Sequence, residues 1–161
     1  MPEGETSIDD PRAEDVRELL GRHLAFARSN TPPKDVHALD LDGLLDPAVT
    51  VFSFRLDGEL LAVGALKRLD ERHAELKSMH TAQSARRRGI GRAMVEHLIA
   101  VARDRGFRQV SLETGSMPAF APARLLYASA GFRPCEPFGD YRPSPNSTCM
   151  TMSLGGPDPA G

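Results

Sequence analysis

One run of the chain leaves little freedom in what can be built around it. Met79-His80-Thr81-Ala82-Gln83-Ser84-Ala85-Arg86-Arg87-Arg88-Gly89-Ile90-Gly91-Arg92-Ala93-Met94 passes from a short apolar strand through an Arg/Gly turn into a helix. Beyond the turn, Ile90, Met94, Leu98 and Val101 recur at the spacing of one helical face, with Ala93, His97 and Ala102 beside them. The helix therefore begins at the glycines. The N–H groups of a first helical turn have no intrahelical acceptor and lie at the positive end of the dipole, so that end favours an anion. Gly89 and Gly91 let a phosphate approach the backbone, and Arg86, Arg87, Arg88 and Arg92 supply charge for its oxygens. The run reads as the site of a phosphorylated ligand.

Two common phosphate loops do not match. A Walker A loop closes with Gly-Lys-Ser/Thr, whereas this turn continues Gly91-Arg92-Ala93. A dinucleotide fingerprint needs glycine where Met94 stands. The net charge of the whole chain is -2, so the arginines are a local cluster on a mildly acidic background. That argues for a phosphorylated small molecule and against a nucleic-acid partner, which would need a broad basic face.

At 161 residues, 40 % of them hydrophobic, the chain suits a single domain over 1–154, with a disordered tail expected over 155–161. No apolar run reaches the roughly 18 residues of a membrane span, and the start, Met1-Pro2-Glu3-Gly4-Glu5, is acidic where a signal peptide is basic. No membrane partner and a cytoplasmic location are the expectations. Cys135 and Cys149 read as free thiols, and His23, His37, His73, His80 and His97 show no zinc spacing, so no metal is expected.

Along the chain, Glu5 to Ile8 reads as an edge strand. Asp10-Pro11 reads as the N-cap and first position of a helix reaching about Ser29, with a buried stripe of Val16, Leu19, Leu20, Leu24, Phe26 and Ala27. A second helical segment is expected from Lys34 to Leu45. Thr50 to Leu56 and Leu60 to Arg68 read as strands around the hairpin dipeptide Asp57-Gly58, followed by a strand from Ala74 to His80. The helix from Gly89 should close at Gly106 with Phe107 packing back on it. A strand Gln109 to Thr114, a short helix from Pro122 to Gly131 and strands at Arg133 to Pro137 and Thr148 to Leu154 complete the pattern. Between the last two, Phe138 to Asn146 is a Pro-rich loop suited to wall a pocket.

Arg86-Arg87-Arg88-Gly89-Ile90-Gly91 resembles the Gln/Arg-x-x-Gly-x-Gly/Ala pyrophosphate loop of the GCN5-related N-acetyltransferases, the GNAT superfamily. Ala123-Arg124-Leu125-Leu126-Tyr127-Ala128-Ser129-Ala130-Gly131-Phe132 resembles that family's next motif, a short helix with Leu-Tyr closed by Gly-Phe. The resemblance covers roughly residues 50 to 154. It implies an α/β GNAT (acyl-CoA N-acyltransferase) fold: a mixed, mostly antiparallel sheet, a central splayed parallel strand pair and helices on both faces. The splayed pair would be Ala74 to His80 and Gln109 to Thr114. The cofactor implied is acetyl-CoA, held by Met79, His80 and Thr81 at the strand end, by Arg86, Arg87, Arg88, Gly89, Ile90, Gly91 and Arg92 in the loop, and by Phe120 and Tyr127 beyond it. Many members carry Asn at the position of Phe120, so packing replaces a polar contact there.

The resemblance also implies an activity, N-acetyl transfer to a small-molecule primary amine by direct attack. It assigns Tyr127 as the acid for the departing thiolate and the Met79 N–H as oxyanion donor. Glu113 and Glu75, on the two central strands, are both candidates for the base that takes the amine proton, and His80 is a third. His37-Ala38-Leu39-Asp40-Leu41-Asp42, Lys77-Ser78-Met79, Glu113-Thr114-Gly115 and Gly139-Asp140-Tyr141 together look like a bacterial subgroup labelled YsnE-like or indole-acetic-acid acetyltransferase. His37, Asp40, Lys77, Glu113, Asp140 and Tyr141 are therefore the candidate acceptor residues, a mixture of charges suited to an amino acid or related metabolite. A protein lysine or N-terminal acetyltransferase and a non-catalytic CoA sensor are the alternatives. Family members often form homodimers through sheet edges, for which Cys149 to Leu154 is the candidate segment.

Overall fold

Two neighbouring strands stop pairing part-way along their length, and that break organises the molecule. The computed structural model describes residues 4–155. Its sheet has seven strands in the order β1-β2-β3-β4-β5-β7-β6. They are β1 (Glu5–Ile8), β2 (Val49–Leu56), β3 (Glu59–Arg68), β4 (His73–Thr81), β5 (Gln109–Gly115), β6 (Arg133–Pro134) and β7 (Ser147–Ser153). Every neighbouring pair is antiparallel except β4 and β5, which run parallel across the helix α3 (Ile90–Asp104). β4 pairs with β5 only from His73 opposite Gln109 to Leu76 opposite Leu112. Yet β4 continues beside β3 to Thr81, and β5 continues beside β7 to Gly115. From Lys77 and Glu113 onward the central strands diverge, as the expected splay requires.

Strand alternation sends successive side chains to opposite faces. On one face Ala74, Leu76, Val110, Leu112 and Met150 join Ile90, Met94, Val95, Leu98 and Ala102 of α3 in the larger core. The same core takes in Tyr127 of α4 (Ala121–Ala130). On the other face Val51, Val63 and Ala65 pack against Val16, Leu19 and Leu20 of α1 (Glu14–Asn30). Helices thus cover both faces. Over β4, β5 and β7 this second face is polar, because alternation puts Glu75, Lys77, Ser111, Glu113 and Thr151 there. Its cover is the Pro-rich loop, which reaches it through Tyr141 and Phe138.

Both motif helices end as glycine allows. Gly106 (φ 87°) and Gly131 (φ 111°) take left-handed conformations. Phe107 N–H then donates to Ala102 C=O, and Phe132 N–H to Tyr127 C=O, each at 3.0 Å. The Asp57-Gly58 hairpin also forms, with φ of 52° and 82° at its two turn residues.

Three expectations need correction. α1 starts at Glu14, and Asp10 does not cap it: the Asp10 carboxylate accepts the Arg12 N–H and pairs with the Arg12 guanidinium, forming a turn ahead of the helix. Lys34 to Leu45 is not one helix but a single tight turn at Pro33–Asp35 and a one-turn helix, α2 (Leu41–Leu44). β6 ends at Pro134 rather than Pro137, although Cys135 N–H still reaches Cys149 C=O at 2.9 Å. Cys149 to Leu154, the candidate dimer segment, is paired with β5 on one side and with β6 only at Met150 and Thr151 on the other. Cys135 and Cys149 are both free thiols. Among the described residues no helix is long and apolar enough to cross a membrane, and no three His, Cys, Asp or Glu side chains converge as a metal site. Apart from Gly155, the tail expected to be disordered lies outside the described residues.

Candidate active site

The gap between the diverging strands opens into a cavity of about 680 Å³. Its rim on one side is the start of α3. Arg87 (φ 64°) and Gly89 (φ 77°) both take left-handed backbone, which folds the turn back so that Arg86, Arg87, Gly89, Ile90, Gly91 and Arg92 line the cavity. Gly89 is the N-cap and offers no side-chain acceptor, so the first-turn N–H groups are left for a ligand. A Cβ on Gly91 would come within 3.3 Å of both Leu126 Cδ2 and Thr81 Oγ1, so a larger residue would crowd that strip of backbone. Arg92 is steadied by Glu96 at 2.8 Å and by Ser129 Oγ at 2.9 Å. A helix N-terminus, three arginines and a backbone cleared of side chains form an anion cradle that suits a pyrophosphate.

The middle of the cavity is framed by the end of β4. Ser78 breaks the strand with φ 55°, producing a bulge opposite Gly64. The Met79 sulfur fills the place a Cβ on Gly64 would occupy, 2.6 Å from it. Ser78 Oγ is buried without a hydrogen-bond partner among the described residues. His80 Nδ1 lies 3.2 Å from His23 Nδ1 on α1, so one ring N–H donates to the other ring. Burial lowers both imidazoles to about 4, His23 further disfavoured by His80 and Lys77, His80 by Arg86 and Arg22. Both rings are therefore neutral near pH 7. Phe120 closes this part edge-on to Phe26 of α1, with ring centroids 5.2 Å apart.

Tyr127 also lines the cavity. Its ring is fixed edge-on against Phe132, at a centroid distance of 6.0 Å, by the cap that ends α4. No hydrogen bond to its hydroxyl is found among the described residues, and burial raises the phenol well above its ordinary value. It is held as a protonated donor.

At the far end the polar sheet face meets the Pro-rich loop. Glu75 and Lys77 stand on β4 with side chains only 4 % and 9 % exposed, Lys77 Nζ lying 3.2 Å from Glu75 Oε2. Tyr141 O–H donates to the same oxygen and accepts from Lys77 Nζ at 2.8 Å. His37 stands edge-on to the Tyr141 ring, with centroids 4.8 Å apart. Glu113 accepts the Ser147 hydroxyl; burial raises its carboxyl, against the lowering influence of that hydrogen bond, His37 and Lys77. A carboxylate pushed up in this way is a better proton acceptor than a free one.

The cavity thus brings together Glu75, Glu113, His37, Lys77, Tyr141, Met79, His80, Thr81, Phe120, Tyr127 and the loop residues named above. Three predicted residues lie outside its lining. Arg88 is exposed and is absent from the cavity wall. Asp40 accepts the Gly43 N–H at 2.9 Å and caps α2 instead. Asp140 is exposed in the loop. Sequence reasoning missed His23, Phe26 and Ser147. The signal for His23 was present, since it follows Leu19 and Leu20 at helical spacing on the buried stripe of α1. Ser147 gave none.

Comparison with known proteins gives a family and a fold. A family model described as acetyltransferase (GNAT) family matches residues 13–132. An uncharacterized N-acetyltransferase of Bacillus subtilis, YsnE, is 46 % identical over 91 % of this chain and 97 % of its own. An uncharacterized N-acetyltransferase of Escherichia coli, YedL, is 40 % identical over 91 % of this chain and 92 % of its own. Among solved structures, an acyl-CoA N-acyltransferase, so named by inference, from Klebsiella pneumoniae superposes with a TM-score of 0.80 at 25 % identity, over 94 % of this chain and 98 % of that one. A Bacillus subtilis acetyltransferase in complex with CoA gives a TM-score of 0.71 at 16 % identity, over 94 % and 99 %.

Proposed function

The chain belongs to the acetyltransferase (GNAT) family, in its YsnE-like subgroup, and from that premise we propose that it acetylates the primary amine of a small molecule by direct attack within a ternary complex. The family's cofactor is acetyl-CoA, which supplies an activated acetyl thioester. The observation that carries the reading is the position of two proton-handling groups in one cavity, Glu113 on β5 and Tyr127 on α4, with an anion cradle at its rim.

Arg86, Arg87 and the N–H groups from Gly89 to Arg92 hold the pyrophosphate. The β4 residues Met79, His80 and Thr81 flank the pantetheine arm, and Phe120 packs on it. Past Leu76 the backbone of β4 has no partner on β5, which leaves the Met79 N–H as the group to receive the developing oxyanion. Glu113 takes the proton that the acceptor nitrogen must lose as it bonds to the acetyl carbon. Tyr127 gives the proton that the thiolate must gain as the C–S bond breaks. Glu75 is already engaged by Tyr141 and Lys77, so of the two carboxylates Glu113 is the base and Glu75 orients Lys77.

A small acceptor is favoured over a protein because the segment holding His37 and the Pro-rich loop are tied to each other. Asp35 accepts from Ser144 Oγ and from Asn146 Nδ2, each at 3.0 Å. The reading places the protein in the cytoplasm, where acetyl-CoA is supplied, and takes β1, one of the two outer strands, as a sheet edge open to a homodimer. The test is thiol release from acetyl-CoA across amino acids, polyamines and a lysine peptide. Release with small amines supports it; release with the peptide alone transfers the activity to protein substrates, and release with none contradicts it.

A further inference from the structure

The acceptor end of the cavity holds donors and an acceptor that the fold leaves only partly matched. Lys77 has three ammonium protons. Glu75 and Tyr141 accept from two of them, and Lys77 also lines the cavity. His37 lines it too and makes no side-chain hydrogen bond among the described residues, leaving a ring N–H to give. Glu113, by contrast, is an acceptor whose protein partner is the single hydroxyl of Ser147. Two vacant donors and a carboxylate with acceptor capacity to spare therefore line the same cavity, His37 and Lys77 near enough to Glu113 to act on its charge.

We infer that the acceptor is a free α-amino acid, its amino group at Glu113 and its α-carboxylate held by the His37 ring N–H and the third N–H of Lys77. The inference rests on the acetyl-transfer reading and narrows it. A carboxylate completes the donors that Glu75 and Tyr141 leave over, and its charge cancels that of the amino acid's own ammonium, so the ligand adds no net charge beside the Lys77–Glu75 pair. A polyamine would set a further positive charge beside Lys77, which costs energy in a site shielded from water. A peptide bond in place of the carboxylate removes the charge from the hydrogen bonds and extends the ligand toward walls tied through Asp35, Ser144 and Asn146.

The experiment compares L-leucine, L-methionine, L-phenylalanine, L-glutamate and L-lysine with their α-amides as acceptors in the thiol-release assay. It is run beside calorimetric titration of the same compounds into protein saturated with coenzyme A. At least one free acid should turn over with a kcat/KM roughly tenfold or more above that of its amide, the size expected for loss of a charge-assisted hydrogen bond. His37→Phe keeps the ring edge against Tyr141 but removes the donor, and should bring that ratio toward one with the KM for acetyl-CoA unchanged. His37→Gln should restore part of the preference. Amides used as well as acids, or a ratio unmoved by His37→Phe, would overturn the inference. Turnover of polyamines or a lysine peptide without any amino acid would overturn it while leaving acetyl transfer intact. If no amine releases thiol, the transfer reading fails, and the titration still decides the carboxylate site: binding of acids but not amides upholds it, and binding of neither refutes it.

Discussion

Tyr141 O–H donates to Glu75 across 66 residues of sequence, joining the Pro-rich loop to a buried carboxylate on β4. Lys77 completes the triangle, 2.8 Å from the phenol oxygen and 3.2 Å from the carboxylate. The loop is therefore part of the site, and its position is set by a charge that the sheet would otherwise bury with a single partner.

Tyr141→Phe removes a donor from Glu75 and an acceptor from Lys77 while keeping the ring. Leaving buried polar groups short of partners costs about 1–3 kcal/mol, which urea unfolding will read. The acceptor KM should rise while the KM for acetyl-CoA holds, because the pyrophosphate cradle lies at the other end of the cavity.

Tyr127→Phe separates chemistry from packing. The ring stays fixed by Phe132 and the hydroxyl has no partner among the described residues, so thermal stability should hold. As general acid it should matter by roughly 100-fold or more in kcat, with little change in acetyl-CoA affinity. A normal kcat would remove Tyr127 from proton transfer.

Gly64→Ala tests the bulge. A Cβ there would sit 2.6 Å from Met79 Sδ, 3.1 Å from Leu98 Cδ1 and 3.2 Å from Met94 Cγ, and the sulfur must move. Overpacking of this kind costs about 1–3 kcal/mol. Since Met79 lines the cavity, acetyl-CoA binding measured by calorimetry should weaken as well.

The imidazole pair gives a pH dependence of stability. His23 and His80 are lowered from 6.5 to about 4, so the unfolded chain binds more protons than the folded one between those values. Their contribution is complete above pH 6.5 and is lost as pH falls through 4, for the better-buried His23 by on the order of 3 kcal/mol. His23→Phe should flatten the fall in urea midpoint between pH 7 and pH 4.5 relative to the native chain. An unchanged slope would mean that the imidazole is not held neutral by burial.

Much of this was legible in the sequence because local rules and tertiary packing agree there. Ile90, Met94 and Leu98 mark α3, and Gly106-Phe107 and Gly131-Phe132 mark the ends of two helices by the same capping chemistry. Where a polar side chain had two uses, the sequence did not reveal which prevailed. Asp10 bonds forward to Arg12 instead of capping α1, and Asp40 caps a single turn instead of facing the acceptor. Glu75 and Glu113 looked equivalent, each on a central strand. Only the fold shows that one is matched by Lys77 and Tyr141 and the other by a lone serine hydroxyl. His23 fell on the apolar stripe of α1 and was hidden among its neighbours; its partner His80 lies 57 residues away.

The proposed reaction is direct attack of the acceptor on the thioester, with Glu113 and Tyr127 moving the protons and no covalent acetyl-enzyme. No cysteine lines the cavity. The most direct measurement is the initial rate of thiol release over a grid of acetyl-CoA and acceptor concentrations. A ternary complex predicts double-reciprocal lines that intersect; parallel lines, together with acetyl-CoA turnover before the acceptor is added, would mean an acetyl-enzyme and exclude direct attack.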